Sequence, residues 1–220
     1  MIMSMDSEFL YSYAEKIKDH FFPDNKKIEL SKKTFSKSLD RLHGCFASIK
    51  KKYYYEDSKP IFNHLNSDQF CTFLYFISNQ SFIDGCIENA AKYFYLNKIL
   101  HGLDLFYSVE LPDIFLFVHP VGTVIGNAKF NDFCVFYQNV TIGSDIDGIY
   151  PNFLGSTIFF SGSSVIGDCK FGNNTIIGAR SFVLKEDVPS DSIVTGSSNL
   201  NLKISPSKRV ITKDFFNINS

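Results

Sequence analysis

Apolar residues follow two different periods along the chain. Up to about residue 105 they recur at intervals of three and four positions, which is typical of an apolar helix face. From Val118 onward, large apolar residues recur at every sixth position instead. We therefore predict an α+β fold in which an N-terminal helical domain precedes a repetitive β structure.

The first region is predicted to contain several helices. Asp6 provides an N-cap for a helix that ends near Phe22, because Pro23 follows it. Three more helices are predicted over about 34–50, over about 70–78, and from a Ser81 cap towards Leu105. This pattern indicates helical packing and carries no chemistry by itself.

The six-residue repeat has two phases. The large apolar positions are Val118, Val124, Phe130, Phe136 and Ile142, then Phe153, Phe159, Val165, Phe171, Ile177 and Val183. Four positions after them come residues of small or modest volume, which are Gly122, Ala128, Cys134 and Val140, then Thr157, Ser163, Cys169, Thr175 and Ser181. Neither a helix period nor a strand period generates this double pattern, so it indicates a solenoid over about 116–184. Each hexapeptide would form one flat side, with the large residue in the core and the small one at a corner.

The repeat is interrupted between Ile142 and Phe153 by the polar, turn-rich segment GSDIDGIYPN. Such an insertion should protrude from the coil, and loops on a rigid scaffold often contact substrate. Asp145, Asp147 and Tyr150 are therefore candidates for binding an acceptor molecule, with solvated surface positions as the alternative.

Composition and charge exclude several classes of protein. The chain has 220 residues and a formal net charge of -1, so neither nucleic acid nor an anionic membrane is an expected partner. No apolar stretch is long enough to span a bilayer, so we expect no membrane insertion. The first residues, MIMSMDSEFL, lack the basic and apolar parts of a signal peptide, and we expect a cytoplasmic protein.

The cysteines and histidines do not form a metal-binding pattern. The cysteines are scattered without a C-x-x-C pair, which argues against disulfides and structural zinc, and we expect reduced, buried thiols. Cys134 and Cys169 fall on the small-residue phase and are interpreted as corner fillers rather than nucleophiles. No metal is expected. His20, His43, His64 and His101 lie in predicted helical segments without partners at metal-ligand spacing.

Residues 118–143, VHPVGTVIGNAKFNDFCVFYQNVTIG, resemble the active-site coil of serine acetyltransferases. The matching residues are His119, Gly122, Val124-Ile125-Gly126, Gln138 and Val140-Thr141-Ile142-Gly143. Residues 162–188 are similar to the coils that follow in that family, and residues 59–80 are weakly similar to the helices before them.

This resemblance implies a left-handed parallel β-helix over 111–200, with a helical domain over 1–110 and a C-terminal tail over 201–220. It implies a homotrimer, or a dimer of trimers, with acetyl-CoA as co-substrate in grooves between subunits. It also implies that His119 acts as the general base for direct acetyl transfer to an acceptor hydroxyl. A neutral imidazole suits that role near neutral pH.

The resemblance extends to further site residues, each with an alternative. Gln138 would hydrogen bond in the active site, or is strand filler. Ser161, Gly162, Gly178 and Ala179 are small enough to let pantetheine lie along the coil, and are equally explained as turn residues. Lys203, Lys208 and Arg209 would meet the 3′-phosphate of CoA, or form a solvated tail.

Three departures from the family pattern put serine specificity in doubt. Val118 stands where the family has an Asp, and Tyr150-Pro151 stands where it has a His-Pro pair. Glu110 replaces another Asp upstream, six residues closer to His119 than in the family. Glu110 is a candidate for orienting His119, although with one hexapeptide fewer between them it need not point at His119.

Three functions remain open at this point. The first is acetyl transfer to a saccharide hydroxyl, of the capsule or lipopolysaccharide type. Tyr150 and Val118 favour it, because an aromatic residue can stack on a sugar and no carboxylate is needed to hold an ammonium group. The second is a serine O-acetyltransferase with an altered acceptor site. The third is a non-catalytic β-helix, or an acyltransferase with another acyl group or an amine acceptor.

Overall fold

The N-terminal region is a bundle of helices. A computed structural model describes residues 6–23, 28–56 and 59–217. The helices of this region are α1 (Ser7–Phe21), α2 (Lys32–Ala47), α3 (Ser67–Ile83) and α4 (Ile87–His101). A short 3-10 helix (Lys52–Tyr54) and a hairpin of β1 (Tyr55–Glu56) and β2 (Lys59–Pro60) connect α2 to α3. Helix α3 is central, because nearly all of its side chains are buried.

The helix ends confirm one prediction and correct two others. Asp6 caps α1 by accepting a hydrogen bond from the Glu8 N–H. Ser81 does not cap α4; it is buried inside α3, and the N-cap of α4 is Cys86. Helix α4 stops at His101 instead of running towards Leu105, since Gly102 takes the left-handed conformation that ends a helix.

Parallel strands stack in three sheets to form a β-helix, as the repeat predicts. The first sheet contains β3 (Asp104–Leu105), β5 (Val124–Ile125), β7 (Thr141–Gly143), β10 (Ser164–Ile166) and β13 (Phe182–Leu184). The second contains β4 (Phe115–Phe117), β6 (Cys134–Phe136), β9 (Thr157–Phe159), β12 (Thr175–Ile177), β14 (Ser192–Thr195) and the antiparallel β15 (Lys203–Pro206). The third contains β8 (Asn152–Phe153) and β11 (Lys170–Phe171). Stacked strands from β3 to β14 make the coil longer than the predicted 116–184.

The strand register corrects the predicted core phase at its beginning. Phe117 pairs with Phe136, and Ile125 pairs with Ile142. Phe117 and Ile125 therefore fill the core where Val118 and Val124 were predicted, and Val124 is 43% exposed. The side of the coil between Phe117 and Ile125 is longer than a hexapeptide, because it contains an additional turn. The core position before this turn is therefore one residue earlier than predicted, and the core position after it is one residue later. From Phe130 to Val183 the predicted core positions are confirmed.

The same turn changes one corner residue. Thr123 is buried there in place of the predicted Gly122, and its hydroxyl donates to the Tyr137 carbonyl at 2.8 Å. The other predicted corner residues are buried, Cys134 and Cys169 included. Burial raises the pKa of the Cys134 thiol, so it stays protonated as a corner filler should. Cys86 is the exception to the expectation of buried thiols, because it is exposed.

The helical region packs on the first coil of the β-helix. The Tyr75 hydroxyl of α3 donates to the Val109 carbonyl at 3.0 Å and accepts the Leu111 N–H at 2.9 Å. The Phe115 ring of β4 packs against the rings of Tyr75 and Phe76. Helix α3 therefore has a fixed position relative to the coil, and its N-terminus lies near the end of β4.

The C-terminal segment returns to the helical region. After β15, helix α5 (Ile211–Phe215) leads to Phe216, which forms a bridge with Ile49 at the end of α2. The Lys50 N–H donates to the Phe215 carbonyl at 2.8 Å, and the Phe216 ring packs on Phe133. The segment predicted as a tail is thus folded against the second sheet.

Within 6–23, 28–56 and 59–217, no helix is long and apolar enough to cross a membrane. The same ranges hold no group of three or more His, Cys, Asp or Glu side chains that could bind a metal ion.

Candidate active site

His119 lies at a tight turn between the second and first sheets. Its φ of 50° is left-handed, and its carbonyl accepts the Val121 N–H at 2.7 Å. Gly122 follows with a φ of 73°, and a Cβ at Gly122 would overlap the Asn139 side chain of the next coil. The turn therefore needs glycine at Gly122, and it leaves the His119 side chain 77% exposed.

Asp68, near the N-terminus of α3, is the partner of His119. Its Oδ1 accepts the His119 backbone N–H at 3.1 Å, and its Oδ2 lies 3.5 Å from His119 Nδ1. The carboxylate is 16% exposed, and its burial raises its pKa, although the contacts with His119 act in the opposite direction. The carboxylate thus faces Nδ1 of the imidazole and favours one orientation of the ring.

Glu110 does not take this position. It lines a separate polar cavity of about 710 Å³, together with Lys129 and Asp132. The carboxylate that contacts His119 is therefore that of Asp68, which is 51 positions away along the chain, and not that of the candidate Glu110.

Several predicted cofactor residues stack in one column at the corner of His119. We call this column the His119 corner; it comprises residues 118–123, 137–140, 160–163 and 178–181 of successive coils. Backbone hydrogen bonds of 2.9 Å join its successive layers. The Asn139 N–H donates to the Val121 carbonyl, and the Gly162 N–H donates to the Gln138 carbonyl. In the next layer, the Arg180 N–H donates to the Ser161 carbonyl. Gln138, Ser161, Gly162, Gly178 and Ala179 thus follow His119 along the coil axis. At about 4.8 Å per layer, Gly178 is about 14 Å from the His119 layer.

The basic residues of the C-terminal segment lie near the far end of this column. Lys203 pairs with Thr195, whose methyl group lies against Gly178. Arg209 lines a groove of about 400 Å³ that also includes Phe160 and Gly178, and its guanidinium is 3.4 Å from Asp214. Lys208 is exposed. Apolar outer residues of the second sheet, Ile158, Ile176 and Ile193, form the floor of the groove.

The loop over 143–152 leaves the coil at a different corner, between the first and third sheets. Asp145 stabilises the loop, because its Oδ1 accepts the N–H groups of Asp147 and Ile149 at 3.0 Å each. Its Oδ2 lies 2.7 Å from Lys185 Nζ. The hydrogen bond with Lys185 lowers the pKa of the Asp145 carboxyl. The main role of Asp145 is thus to hold the loop. Because the loop and His119 lie at different corners, Asp145, Asp147 and Tyr150 do not approach His119 of the same chain.

Tyr150 is held by its packing over Gly126. A Cβ at Gly126 would overlap the Tyr150 ring and lie 3.0 Å from the Ile142 carbonyl oxygen. We expect Gly126→Ala to lower stability by about 1–3 kcal/mol, the usual cost of overpacking. Tyr150→Ala should relieve most of that loss in the double variant, which urea denaturation of the four proteins would show as non-additivity. Additive effects would contradict this contact.

The chain is similar in part to serine acetyltransferases. No protein-family model matches the chain. The serine acetyltransferase of Synechococcus elongatus is 34% identical over 106 residues, which cover 46% of this chain and 43% of that protein. The chain therefore matches less than half the length of this curated relative.

Solved structures show the same fold. The serine acetyltransferase of Vibrio cholerae aligns with a TM-score of 0.69 and 15% identity, over 92% of this chain and 82% of that one. A serine acetyltransferase in complex with CoA aligns with a TM-score of 0.61 and 15% identity, over 79% and 74% of the two chains. The chain is thus serine acetyltransferase-like, with helices followed by a parallel hexapeptide-repeat β-helix.

Proposed function

We propose that this protein is an acetyl-CoA-dependent O-acetyltransferase that transfers the acetyl group directly to the hydroxyl of a small acceptor. The observation that carries the proposal is the pair of His119 and Asp68 at the start of the His119 corner. The pair provides an oriented base, and the small residues of the column provide a path for a long, narrow co-substrate.

The proposed mechanism uses His119 as general base. Asp68 next to Nδ1 favours the tautomer with the proton on Nδ1, which leaves Nε2 free to accept a proton. Nε2 takes the acceptor hydroxyl proton while that oxygen attacks the thioester carbonyl. The carbon–sulfur bond then breaks, and the CoA sulfur leaves with the proton returned by the imidazolium. Asp68 does not touch the reacting atoms; it positions the ring and stabilises its charged form.

The proposed path of acetyl-CoA follows the His119 corner. Its thioester would lie at His119, and its pantetheine arm along Gln138, Ser161-Gly162 and Gly178-Ala179. Lys203 and Arg209 would then be near its phosphates, and the apolar groove beside Gly178 would take an apolar part of the molecule. The CoA complex of the similar fold supports acetyl-CoA as co-substrate.

A homotrimer is part of the proposal. The loop over 143–152 and His119 lie at different corners of one coil, so a loop can approach His119 only from a neighbouring subunit. Tyr150 and Asp147 would then contact the acceptor bound to the neighbour.

The proposed acceptor is L-serine or another small hydroxylated metabolite. The curated relative is a serine acetyltransferase, which favours L-serine over the saccharide that the sequence put first. Nothing in the comparisons supports a saccharide acceptor. Release of CoA thiol, with mass spectrometry of the products, should therefore show O-acetylation when L-serine or a hydroxylated metabolite is offered with acetyl-CoA. Release of thiol without any acetylated acceptor would contradict the proposal.

The variant Asp68→Asn tests whether Asp68 positions His119 for catalysis or only stabilises the fold. Because the folded state raises the pKa of Asp68, the ionised carboxylate costs stability at neutral pH, and protonation at low pH removes that cost. The Asn oxygen can still accept the His119 N–H. We expect unchanged or higher thermal stability at neutral pH, no gain below the Asp68 pKa, and turnover lower by about 10-fold to 10²-fold, less than loss of the base itself. Lower stability with normal turnover would assign Asp68 a structural role only.

A further inference from the structure

A cavity of about 530 Å³ opens beside His119, between the helical region and the first coil. It is bounded by Lys51 and Tyr53 before the hairpin, by Leu65 and Asp68 around the start of α3, and by the end of β4 at His119. Its volume is within the range of sites for small-molecule ligands. It lies on the Asp68 side of His119 and is distinct from the groove beside Gly178.

Lys51 brings a cation without an anionic partner to this cavity. The Lys51 ammonium lies 4.3 Å from the centroid of the Phe215 ring, which holds the side chain in place. Among the described residues, Lys51 forms no ion pair within 4 Å, so its charge is not neutralised by a neighbouring carboxylate. A partly buried, unpaired ammonium attracts an anionic ligand group.

The other charged group of the cavity is not available to a ligand cation. Both oxygens of Asp68 face His119, one through the backbone N–H and the other through Nδ1. Among the described residues that line it, the cavity therefore has a free ammonium and no free carboxylate, which favours an acceptor that carries an anionic group.

Tyr53 adds an apolar surface at the cavity entrance. Tyr53 is 63% exposed, and its backbone carbonyl accepts a hydrogen bond of 2.8 Å from Gln69 Nε2 of α3. Leu65, on the other side, is 79% exposed. An exposed tyrosine on a hydrogen-bonded backbone, at a cavity that Leu65 also lines, suits a ligand with a ring or another flat apolar face.

We infer that this cavity is the acceptor site, and that the acceptor is a hydroxyl compound carrying a carboxylate or phosphate that binds Lys51. The inference rests on the proposed function and specifies its substrate class. Two classes of acceptor carry both a hydroxyl and such an anionic group. An amino acid such as L-serine presents a carboxylate beside its ammonium and has no ring, whereas an acidic or phosphorylated sugar also places a ring on Tyr53.

The test measures acetyl transfer to L-serine, D-glucuronate, glucose 6-phosphate and the neutral methyl glucoside. Wild type should acetylate at least one member that carries a carboxylate or phosphate faster than the methyl glucoside. Lys51→Met should raise KM for that acceptor by about 10-fold, the effect of losing one charge-assisted hydrogen bond. KM for acetyl-CoA should be unchanged, and Lys51→Arg should retain most of the affinity. Lys33→Met, at an exposed position of α2, is the matched control.

Tyr53→Ala distinguishes the two classes of acceptor. It should raise KM for a sugar acceptor by about 3-fold to 10-fold and leave KM for L-serine unchanged, and Tyr53→Phe should restore the affinity. Tyr95→Ala, at a similarly exposed tyrosine of α4, should change neither. Transfer that prefers the neutral glucoside, or that is insensitive to Lys51→Met, overturns the acceptor site alone. No transfer from acetyl-CoA to any member overturns the proposed function as well.

Discussion

His119→Ala is expected to lower turnover by about 10²-fold to 10⁴-fold, the range for removing a general base. The loss should appear in kcat and in kcat/KM alike, because the imidazole acts only as the hydroxyl proton is transferred. Acetyl-CoA binding should change little, since the column from Gln138 to Ala179 does not include the His119 side chain. Steady-state kinetics of thiol release and a direct binding measurement would separate the two effects.

The comparison must use an acceptor that wild type demonstrably acetylates. With a wrong acceptor, wild type and variant would look equally inactive. His101→Ala is not a suitable control, because that ring is hydrogen bonded to Asn97 at 2.7 Å and its burial lowers its pKa to about 4. His43→Ala, at an exposed position of α2, is better matched. Near-normal turnover in His119→Ala would contradict the assignment of His119 as the general base.

Phe136→Ala is expected to destabilise the β-helix by about 3–5 kcal/mol, the usual cost of deleting a buried aromatic ring. Phe136 is fully buried and its ring stacks on Phe159 in the next coil, with centroids 5.0 Å apart. It also contacts the rings of Phe117 and Phe130, so several layers lose packing together. Urea denaturation measures the change in unfolding free energy.

Val124→Ala provides the control for that experiment. Val124 has the phase of the sequence repeat but faces solvent, so its truncation should cost no more than about 0.5 kcal/mol. Ile125→Ala, in the buried neighbouring position, should cost about 2–5 kcal/mol. The reverse order for Val124 and Ile125 would show that the register is wrong.

The β-helix could be predicted from sequence because its rule is local. Each coil side repeats the same alternation of a large core residue and a small corner residue, so Phe136, Phe159 and Ile177 were placed correctly. The rule fails only around His119, at the core positions Val118 and Val124 and at the corner position Gly122. There an additional turn holds His119 in a left-handed conformation, and Val118 and Val124 are as apolar as the true core residues beside them.

The candidate site was only partly predictable, for a different reason. His119 and the residues of its corner lie in the repeat, so their spacing predicts that they stack. Asp68 lies on a helix outside the repeat, and no periodicity connects it with His119. In the sequence, Ser67-Asp68 indicates a helix start and nothing more. Its role depends on how α3 docks on the first coil through Tyr75 and Phe115, which is a tertiary contact.

Lys51 and Tyr53 were missed for the same reason. Lys50-Lys51-Lys52 looks like a solvated helix end in the sequence. In the structure, the C-terminal segment returns and places Phe215 against the Lys51 ammonium, and Lys51 lines the cavity beside His119. Long-range packing of this kind leaves no pattern in a single sequence.

The central claim is direct acetyl transfer at His119, and a single-turnover experiment tests it most directly. Wild-type protein in excess over acetyl-CoA is mixed with an accepted acceptor, and intact-protein and small-molecule masses are followed together. We predict one acetylated acceptor for each CoA released and no acetylated protein at any time, with both products slowed equally in His119→Ala. Transient protein that is heavier by one acetyl group, or CoA released without acetylated acceptor, would contradict the account.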